Sequence, residues 1–203
     1  MKITSIKQQA KNPERVSVFV DGKYSFSLSL DELVTQKIKK DEELSKADVK
    51  RLKKISADGK LRGRALEWLL NRPHSTREFK DYMYRKKAEE DLTQQLIDEF
   101  SERGYLDNAK FASWFVELQA RRAKSNPAIK AELFKKGISR EVVEQVIEQS
   151  EDDETKRLQA LISKKIKSSR YKNDKTKLMQ YLTSQGFSYS QVKEALNPGE
   201  PEN

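Results

Sequence analysis

Apolar and polar side chains alternate near the start of the chain in the manner of β-strands. Every second residue is apolar on both sides of an Asp-Gly pair: Val16, Val18, Val20, Tyr24, Phe26 and Leu28. Asp21-Gly22 favours a type I′ turn, because both central residues of that turn need a positive φ. The pattern predicts a β-hairpin, with Ile3–Ile6 as a candidate third strand. A lone hairpin is marginally stable in water, so we expect it to dock on helices or on a partner.

Helical spacing replaces this alternation further along the chain. Two Ser residues are followed three positions later by an acid, which is the spacing of a capping box: Ser29 with Glu32, and Ser45 with Asp48. Each box predicts the start of a helix. Gly59 and Gly63 leave open whether the second helix runs unbroken to Leu70, because Gly is unfavourable inside a helix.

An internal repeat organises the rest of the chain. Residues 132–147 and 180–196 align at an offset of 49, and each has a helix that ends at a glycine, Gly137 or Gly186. Glycine in that place adopts the left-handed conformation without a Cβ penalty, and the apolar residue after it packs back on the helix. A more distant copy about 50 residues earlier has Lys87-Ala88 in place of the glycine. We therefore expect that turn to differ.

The repeats predict a mainly α protein, an elongated curved array of three tandem three-helix repeats preceded by a small N-terminal β-hairpin or sheet. The predicted divisions are residues 1–44 for the hairpin region with a short helix, 45–107 for a linker helix and the first repeat, 108–150 for the second repeat, 151–197 for the third, and 198–203 for a disordered tail. Four aromatic residues stand at helical spacing, which favours core packing over stacking on unpaired bases: Trp68, Phe111, Trp114 and Phe115.

Composition removes several classes of function. The chain has no Cys and a single His, which excludes disulfides, thiol nucleophiles and two-His metal motifs. Its glycines do not form a phosphate-binding loop. Acidic runs at 41–43 and 151–154 could be read as Mg²⁺ ligands, but negative charge ahead of a helix is the better interpretation. We expect no catalytic residue, cofactor, metal or small-molecule substrate. Without a long apolar run, we expect a cytoplasmic protein with no membrane partner.

The distribution of basic residues indicates what kind of partner the chain binds. The formal net charge is +9, and residues 1–60 carry 14 basic and 9 acidic side chains. The densest basic clusters are Lys50, Arg51, Lys53 and Lys54; Arg121, Arg122 and Lys124; and Lys164, Lys165, Lys167 and Arg170 with Lys172, Lys175 and Lys177. Such clusters indicate contacts to phosphates or to an acidic protein groove, although each one alone is typical of a solvated helix face. The candidate partner-binding residues are Arg121, Arg122, Lys124, Lys164, Lys165, Lys167 and Arg170.

A polar corner follows the helix that ends near Leu70. Pro73 disfavours helical geometry at Arg72 and so ends that helix. Ser75 and Glu78 have capping-box spacing for the next helix. His74 is a conceivable acid–base group, but no Ser, Asp or second His stands with it in a catalytic spacing. We interpret the corner as structural.

Three motifs resemble the RecX family of regulatory proteins, firmly over residues 60–150 and more loosely over 151–196. They are Arg72-Pro73-His74-Ser75, then Gly104-Tyr105-Leu106-Asp107 with Phe111 beyond it, and Leu133 to Ile138. The last of these contains Gly137, with which Gly186 aligns in the next repeat. The resemblance implies a non-enzymatic modulator of the RecA recombinase in DNA repair, recombination and the SOS response. It implies a curved rod that lies in the groove of a RecA filament on single-stranded DNA, inhibits ATP hydrolysis and strand exchange, and binds DNA weakly.

Two other functions stay open. A helix, a glycine turn and a second helix also resemble the helix-turn-helix motif of direct DNA-binding regulators. Against that reading, the predicted second helices carry acidic and amide side chains that would face phosphates: Glu141, Glu144, Gln145, Glu148, Gln191 and Glu194. The remaining alternative is a protein-interaction scaffold that binds neither DNA nor RecA.

Overall fold

Three strands and ten helices follow one another in the computed structural model, which describes residues 1–197. The chain divides into two units between Asn71 and Arg72. The first unit contains β1 (Ile3–Gln9), β2 (Asn12–Val20), β3 (Lys23–Ser29), α1 (Leu30–Thr35) and α2 (Lys46–Leu70). The second contains α3 (Thr76–Arg85), α4 (Glu90–Glu102), α5 (Asn108–Arg121), α6 (Asn126–Lys135), α7 (Arg140–Glu148), α8 (Glu154–Lys165), α9 (Lys175–Ser184) and α10 (Tyr189–Leu196). The tail predicted to be disordered, residues 198–203, lies outside the described part.

The N-terminal unit is an antiparallel sheet of order β1-β2-β3 packed against helices. Asp21 and Gly22 have φ values of 48° and 79°, as the predicted type I′ turn requires. The candidate third strand is confirmed as β1, with Ile6 opposite Val18. One face of the sheet joins α2 in a core that includes Ile3, Val18, Leu28, Val49 and Leu52. The hairpin is therefore docked on a helix of its own unit.

The long helix α2 runs unbroken through both of its glycines. A side chain at Gly59 would overlap the carboxylate of Glu32, which at the same time caps α1 through the backbone amide of Ser29. Gly59 therefore makes room for the capping box of α1 against the backbone of α2. Apart from its chain neighbours and the backbone of α2 itself, no atom lies within 4 Å of the place that a Cβ on Gly63 would take.

Replacing Gly63 by Ala is expected to stabilise the chain by about 0.5–1 kcal/mol, because Ala restricts the unfolded backbone and favours the helix. Urea denaturation of the full chain measures the change. Gly59→Ala is the matched control, since it has the same helical gain but displaces Glu32. A loss of stability in Gly63→Ala, or an equal gain in both variants, would contradict this account of the two glycines.

The second and third repeats each have an apolar core of their own. Phe111, Phe115 and Leu133 belong to the core formed by α5, α6 and α7. Leu158, Leu178, Leu182, Phe187 and Val192 belong to that of α8, α9 and α10. Leu133 and Leu182, which the offset of 49 aligns, are both fully buried. Phe111 and Phe115 are buried as expected, and Trp114 packs on them half-buried.

The expected difference at Lys87-Ala88 is wrong, because the backbone there matches the glycine turns. Lys87 has a φ of 56° and Gly137 a φ of 77°. The amide of Ala88 donates to Met83 O at 3.1 Å, as the amide of Ile138 donates to Leu133 O at 3.2 Å. Asn, Asp and Gly favour this conformation, yet one exposed Lys can adopt it at a cost of about 1–2 kcal/mol.

What separates the turns is the neighbour that each glycine meets. A Cβ on Gly137 would lie 3.1 Å from Arg77 Cβ, at the start of α3. A Cβ on Gly186 would overlap Ser125 Oγ and lie 2.6 Å from Ala128 Cβ, at the start of α6. The C-terminal end of the second helix in one repeat therefore packs on the N-terminal end of the second helix in the repeat before it. Close approach adds to the positive φ at both positions: a Cβ on Gly186 would overlap its neighbours, whereas one on Gly137 would need Arg77 to shift by a few tenths of an ångström.

Candidate interaction surface

The carboxylate of Glu78, in the first turn of α3, gathers three nitrogen-bearing side chains. Arg72 Nη1 donates to its Oε2 at 2.9 Å, and His74 Nδ1 lies 3.1 Å from the same oxygen. Lys136 Nζ, from the end of α6, donates to Oε1 at 2.6 Å. We call this set of four residues the Glu78 junction. It joins the first and second repeats.

Two opposing effects set the charge of Glu78. Burial raises the pKa of its carboxyl, but hydrogen bonds from Lys136 and Arg72, with the charges of both, outweigh burial and hold the pKa below its usual range. The carboxylate is thus ionised at neutral pH. The capping box predicted at this place forms only by half: Ser75 Oγ accepts from the amide of Glu78, whereas the Glu78 carboxylate turns to the junction. The hydrogen bonds from Arg72 and Lys136 thus hold the carboxylate away from the backbone amide of Ser75, from which it would accept in a complete capping box.

Aromatic rings of α5 surround the cations of the junction. The guanidinium carbon of Arg72 lies 5.1 Å from the ring centroid of Trp114. Lys136 Nζ lies 5.9 Å and 5.6 Å from the centroids of Phe111 and Phe115. Cations over aromatic faces gain electrostatic attraction in addition to packing. His74 is 3% exposed inside this cluster, which favours the structural interpretation of the Arg72–Ser75 motif over an acid–base role.

One hydrogen bond recurs at the two successive repeat junctions. The amide of Thr76 donates to Asn108 Oδ1 at 2.9 Å, and the amide of Asn126 donates to Glu154 Oε1 at 2.6 Å. In both cases the donor is the first residue of the second helix in a repeat, and the acceptor is the first residue of the first helix in the next repeat. Arg157 adds a hydrogen bond to Asn126 Oδ1 at 2.7 Å. Polar contacts thus specify how each repeat follows the one before.

The Gly104–Asp107 motif ends α4 and begins α5. Gly104 has a φ of 70°, and the amides of Tyr105 and Leu106 both donate to Phe100 O, at 2.8 and 3.0 Å. Leu106 is buried, while Tyr105 packs edge-on against Phe100. Asp107 Oδ1 accepts from the first amides of α5. The motif therefore has a local structural explanation in each of its four residues.

The first predicted basic cluster lies at the C-terminal end of α5, and we call Arg121, Arg122 and Lys124 the α5 corner. Arg121 and Arg122 are exposed and Lys124 is half-buried. Arg121 Nη2 lies 3.1 Å from Glu117 on the same helix, an exposed pair that holds it weakly. Positive charge here complements the dipole of α5 and faces solvent.

The second cluster takes the corresponding place at the end of α8, and we call Lys164, Lys165, Lys167 and Arg170 the α8 corner. Lys165 Nζ lies 4.6 Å from the centroid of Tyr181, and the guanidinium carbon of Arg170 lies 5.5 Å from that of Tyr171. Lys165 is half-buried, whereas Lys164, Lys167 and Arg170 are exposed. Each corner ends the first helix of its repeat, an equivalence that the sequence clusters alone did not reveal.

Several residues of the site escaped the sequence analysis. Lys136 and Glu78 are 58 positions apart, so no local spacing links them. Asn108 and Glu154 were each one residue past a recognisable cap, Asp107 and Asp153, which was the available signal. Within residues 1–197, no group of three or more His, Asp or Glu side chains could hold a metal ion. Over the same residues, no helix has the length and apolarity that a membrane crossing needs.

Comparison with known proteins matches most of the chain to one family. The regulatory protein RecX N-terminal domain matches residues 1–45, the second RecX three-helix domain residues 107–147, and the third residues 151–196. These last two ranges coincide with α5–α7 and α8–α10.

Individual relatives extend the match to nearly the whole length. The regulatory protein RecX of Bacillus pumilus is 32% identical over 200 residues, covering 96% of this chain and 76% of that protein. The regulatory protein RecX of Clostridium botulinum is 32% identical over 207 residues, covering 97% of both. A crystal structure of regulatory protein RecX has a TM-score of 0.73 at 21% identity, covering 96% of this chain and 98% of that one, which supports the fold.

Proposed function

The chain belongs to the RecX family of regulatory proteins, and from that premise we propose that it binds RecA filaments on single-stranded DNA and inhibits their ATP hydrolysis and strand exchange. The observation that carries the proposal is the recurrence of an exposed basic corner at the end of the first helix in two successive repeats. A filament of RecA on DNA is itself repetitive and contains a polyanion, so a repeated basic feature can engage it at more than one place.

The proposed action is regulatory and needs no reaction on this chain. Glu78, whose carboxylate bonds both Arg72 and Lys136, is engaged in joining two repeats. His74 beside it is buried. Binding at the corners changes what RecA does, with no cofactor or small-molecule substrate of its own. Action on RecA filaments places the protein in the cytoplasm, in DNA repair, recombination and the SOS response.

Reversing the charge of the α5 corner is expected to weaken inhibition of RecA at least tenfold. The triple variant Arg121→Glu, Arg122→Glu, Lys124→Glu replaces attraction to the filament by repulsion, while the corner residues contribute little to the core. The measurement is ATP hydrolysis by RecA on single-stranded DNA as the full chain is titrated. Circular dichroism checks that the helices are intact.

A matched control separates the corner from overall charge. The triple variant Arg103→Glu, Arg140→Glu, Lys193→Glu makes the same change in net charge at scattered exposed positions. It is expected to inhibit RecA as the unchanged chain does. Equal inhibition by the corner variant, or no inhibition of RecA by the unchanged chain, would refute the proposal.

The helix-turn-helix alternative receives no support from the outer face of α7. Glu141 and Glu144 are exposed there, and bonds within the first turn, to its own backbone and to Ser139, lower the pKa of Glu141. Ionised carboxylates on that face would repel the phosphates of a major groove. Sequence-specific binding to duplex DNA that exceeds the effect on RecA would reverse this choice.

A further inference from the structure

A basic cleft lies between β3 and α2 in the N-terminal unit, and none of its lining residues belongs to the corners described above. Its volume is about 370 Å³, and it is lined by Tyr24, Ser25, Phe26, Lys53, Ser56, Ala57, Lys60 and Arg64. Among the described residues, those lining the cleft include no Asp or Glu. Of the acids nearest along α2, Asp58 lies on another side of the helix, whereas Glu67, seven residues after Lys60, lies on the same side beyond Arg64 and outside the cleft lining. We call this feature the β3–α2 cleft.

The cations of the cleft belong to a longer stripe along one face of α2. Lys53, Lys60 and Arg64 are separated by seven and four residues, which places them on one side of the helix. Lys46 and Lys50 continue that side toward the N-terminus, and all five side chains are exposed. At 1.5 Å per residue, the stripe from Lys46 to Arg64 is about 27 Å long. It is long enough to follow several phosphates of one strand.

Tyr24 gives the cleft a fixed aromatic surface. Tyr24 is 54% exposed and stands second in the edge strand β3, next to the hairpin turn. It pairs across the sheet with Phe19, and the two rings meet edge to face at 6.1 Å. Lys7 Nζ lies 5.4 Å from the centroid of Phe19, on the same sheet. The tyrosine ring is therefore held in place with much of its surface open to a ligand.

We propose that the β3–α2 cleft is a binding site for single-stranded DNA. The stripe of α2 attracts the phosphates, and the ring of Tyr24 stacks on an unpaired base at the mouth of the cleft. Bases in a duplex are stacked on one another and present no free face, so a site built on an exposed ring with a basic track beside it selects the single strand. The site acts without RecA, and it would let this unit hold DNA next to a filament.

Fluorescence anisotropy with a labelled 20-nucleotide deoxythymidine oligomer and the full chain, in the absence of RecA, tests the site. The triple variant Lys53→Glu, Lys60→Glu, Arg64→Glu is expected to bind at least tenfold more weakly. The control Lys37→Glu, Lys39→Glu, Lys40→Glu makes the same charge change at exposed positions of the same unit and is expected to change affinity less than twofold. Equal weakening in the two triple variants would refute the cleft.

Stacking has its own variant. Tyr24→Leu keeps an apolar side chain but removes the flat ring, and it is expected to weaken binding of the oligomer about fivefold or more. Unchanged affinity in Tyr24→Leu, or equal affinity for single-stranded and duplex DNA, would overturn the assignment. Binding to vesicles rich in anionic lipid without binding to the oligomer would do the same.

The outcome is separable from that of the RecA proposal. Loss of oligomer binding in the cleft variant supports this site even where the unchanged chain fails to inhibit RecA. Inhibition of RecA by the unchanged chain, together with normal oligomer binding by the cleft variant, would refute this site alone.

Discussion

Replacing Gly186 by Ala is expected to lower the free energy of unfolding by about 2–4 kcal/mol, because two costs add. The residue has a φ of 97°, where a Cβ is strained. The added methyl group would also meet Ser125 and Ala128, 2.6 Å from Ala128 Cβ. Ser125 cannot retreat freely, since its amide donates to Gln185 O at 3.1 Å and its hydroxyl caps α6. Urea denaturation of the full chain measures the loss.

Lys87→Gly isolates the strain from the overlap. The turn at Lys87 has the same left-handed backbone but an exposed side chain, so this change removes strain alone and is expected to stabilise the chain by at most about 1 kcal/mol. The loss in Gly186→Ala should exceed that gain clearly. Changes of equal size would mean that the overlap of the added methyl group with α6 has no energetic cost. The close packing of Gly186 on α6 would then not explain why a glycine stands there.

Features with a local cause were predictable from the sequence. The Asp21-Gly22 turn, the capping boxes at Ser29 and Ser45 and the aligned leucines of the repeats each depend on residues a few positions apart. Their physical causes, a positive φ, free helix amides and helical spacing, act within one element. The prediction of the strands and most helices follows from this locality.

Features that depend on contacts between elements were missed or mistaken. The turn at Lys87 was expected to differ because it lacks a glycine, yet its backbone is the same. What distinguishes Gly137 and Gly186 is that each packs closely against a residue of another repeat. Glu78 was assigned to a local cap, while a lysine 58 residues away determines where its carboxylate points. The equivalence of the α5 and α8 corners likewise emerged only from the helix ends. Residues far apart in the sequence make these contacts, so the spacing of neighbouring residues cannot predict them.

Replacing Glu78 by Gln is expected to destabilise the chain by about 2–3 kcal/mol at neutral pH. The substitution keeps the shape but leaves the charges of Arg72 and Lys136 without their carboxylate. A fully buried ion pair broken in this way costs about 3–5 kcal/mol. The side chains of Arg72 and Lys136 are 38% and 32% exposed, so water compensates in part and the loss is smaller. The exposed control Glu117→Gln, which loses the pair with Arg121, should change stability by less than about 0.5 kcal/mol.

The difference between the unchanged chain and Glu78→Gln should also depend on pH. Because the pKa of Glu78 in the folded chain lies below its ordinary value of 4.5, the carboxylate contributes its full stability above that pH. The contribution disappears as the pH falls through the folded pKa, since the protonated acid no longer holds the cations. Urea midpoints of the two chains should therefore converge below pH 4.5 and stay apart above it. A gap that persists unchanged at low pH would mean that shape or packing at residue 78, rather than its charge, joins the first two repeats.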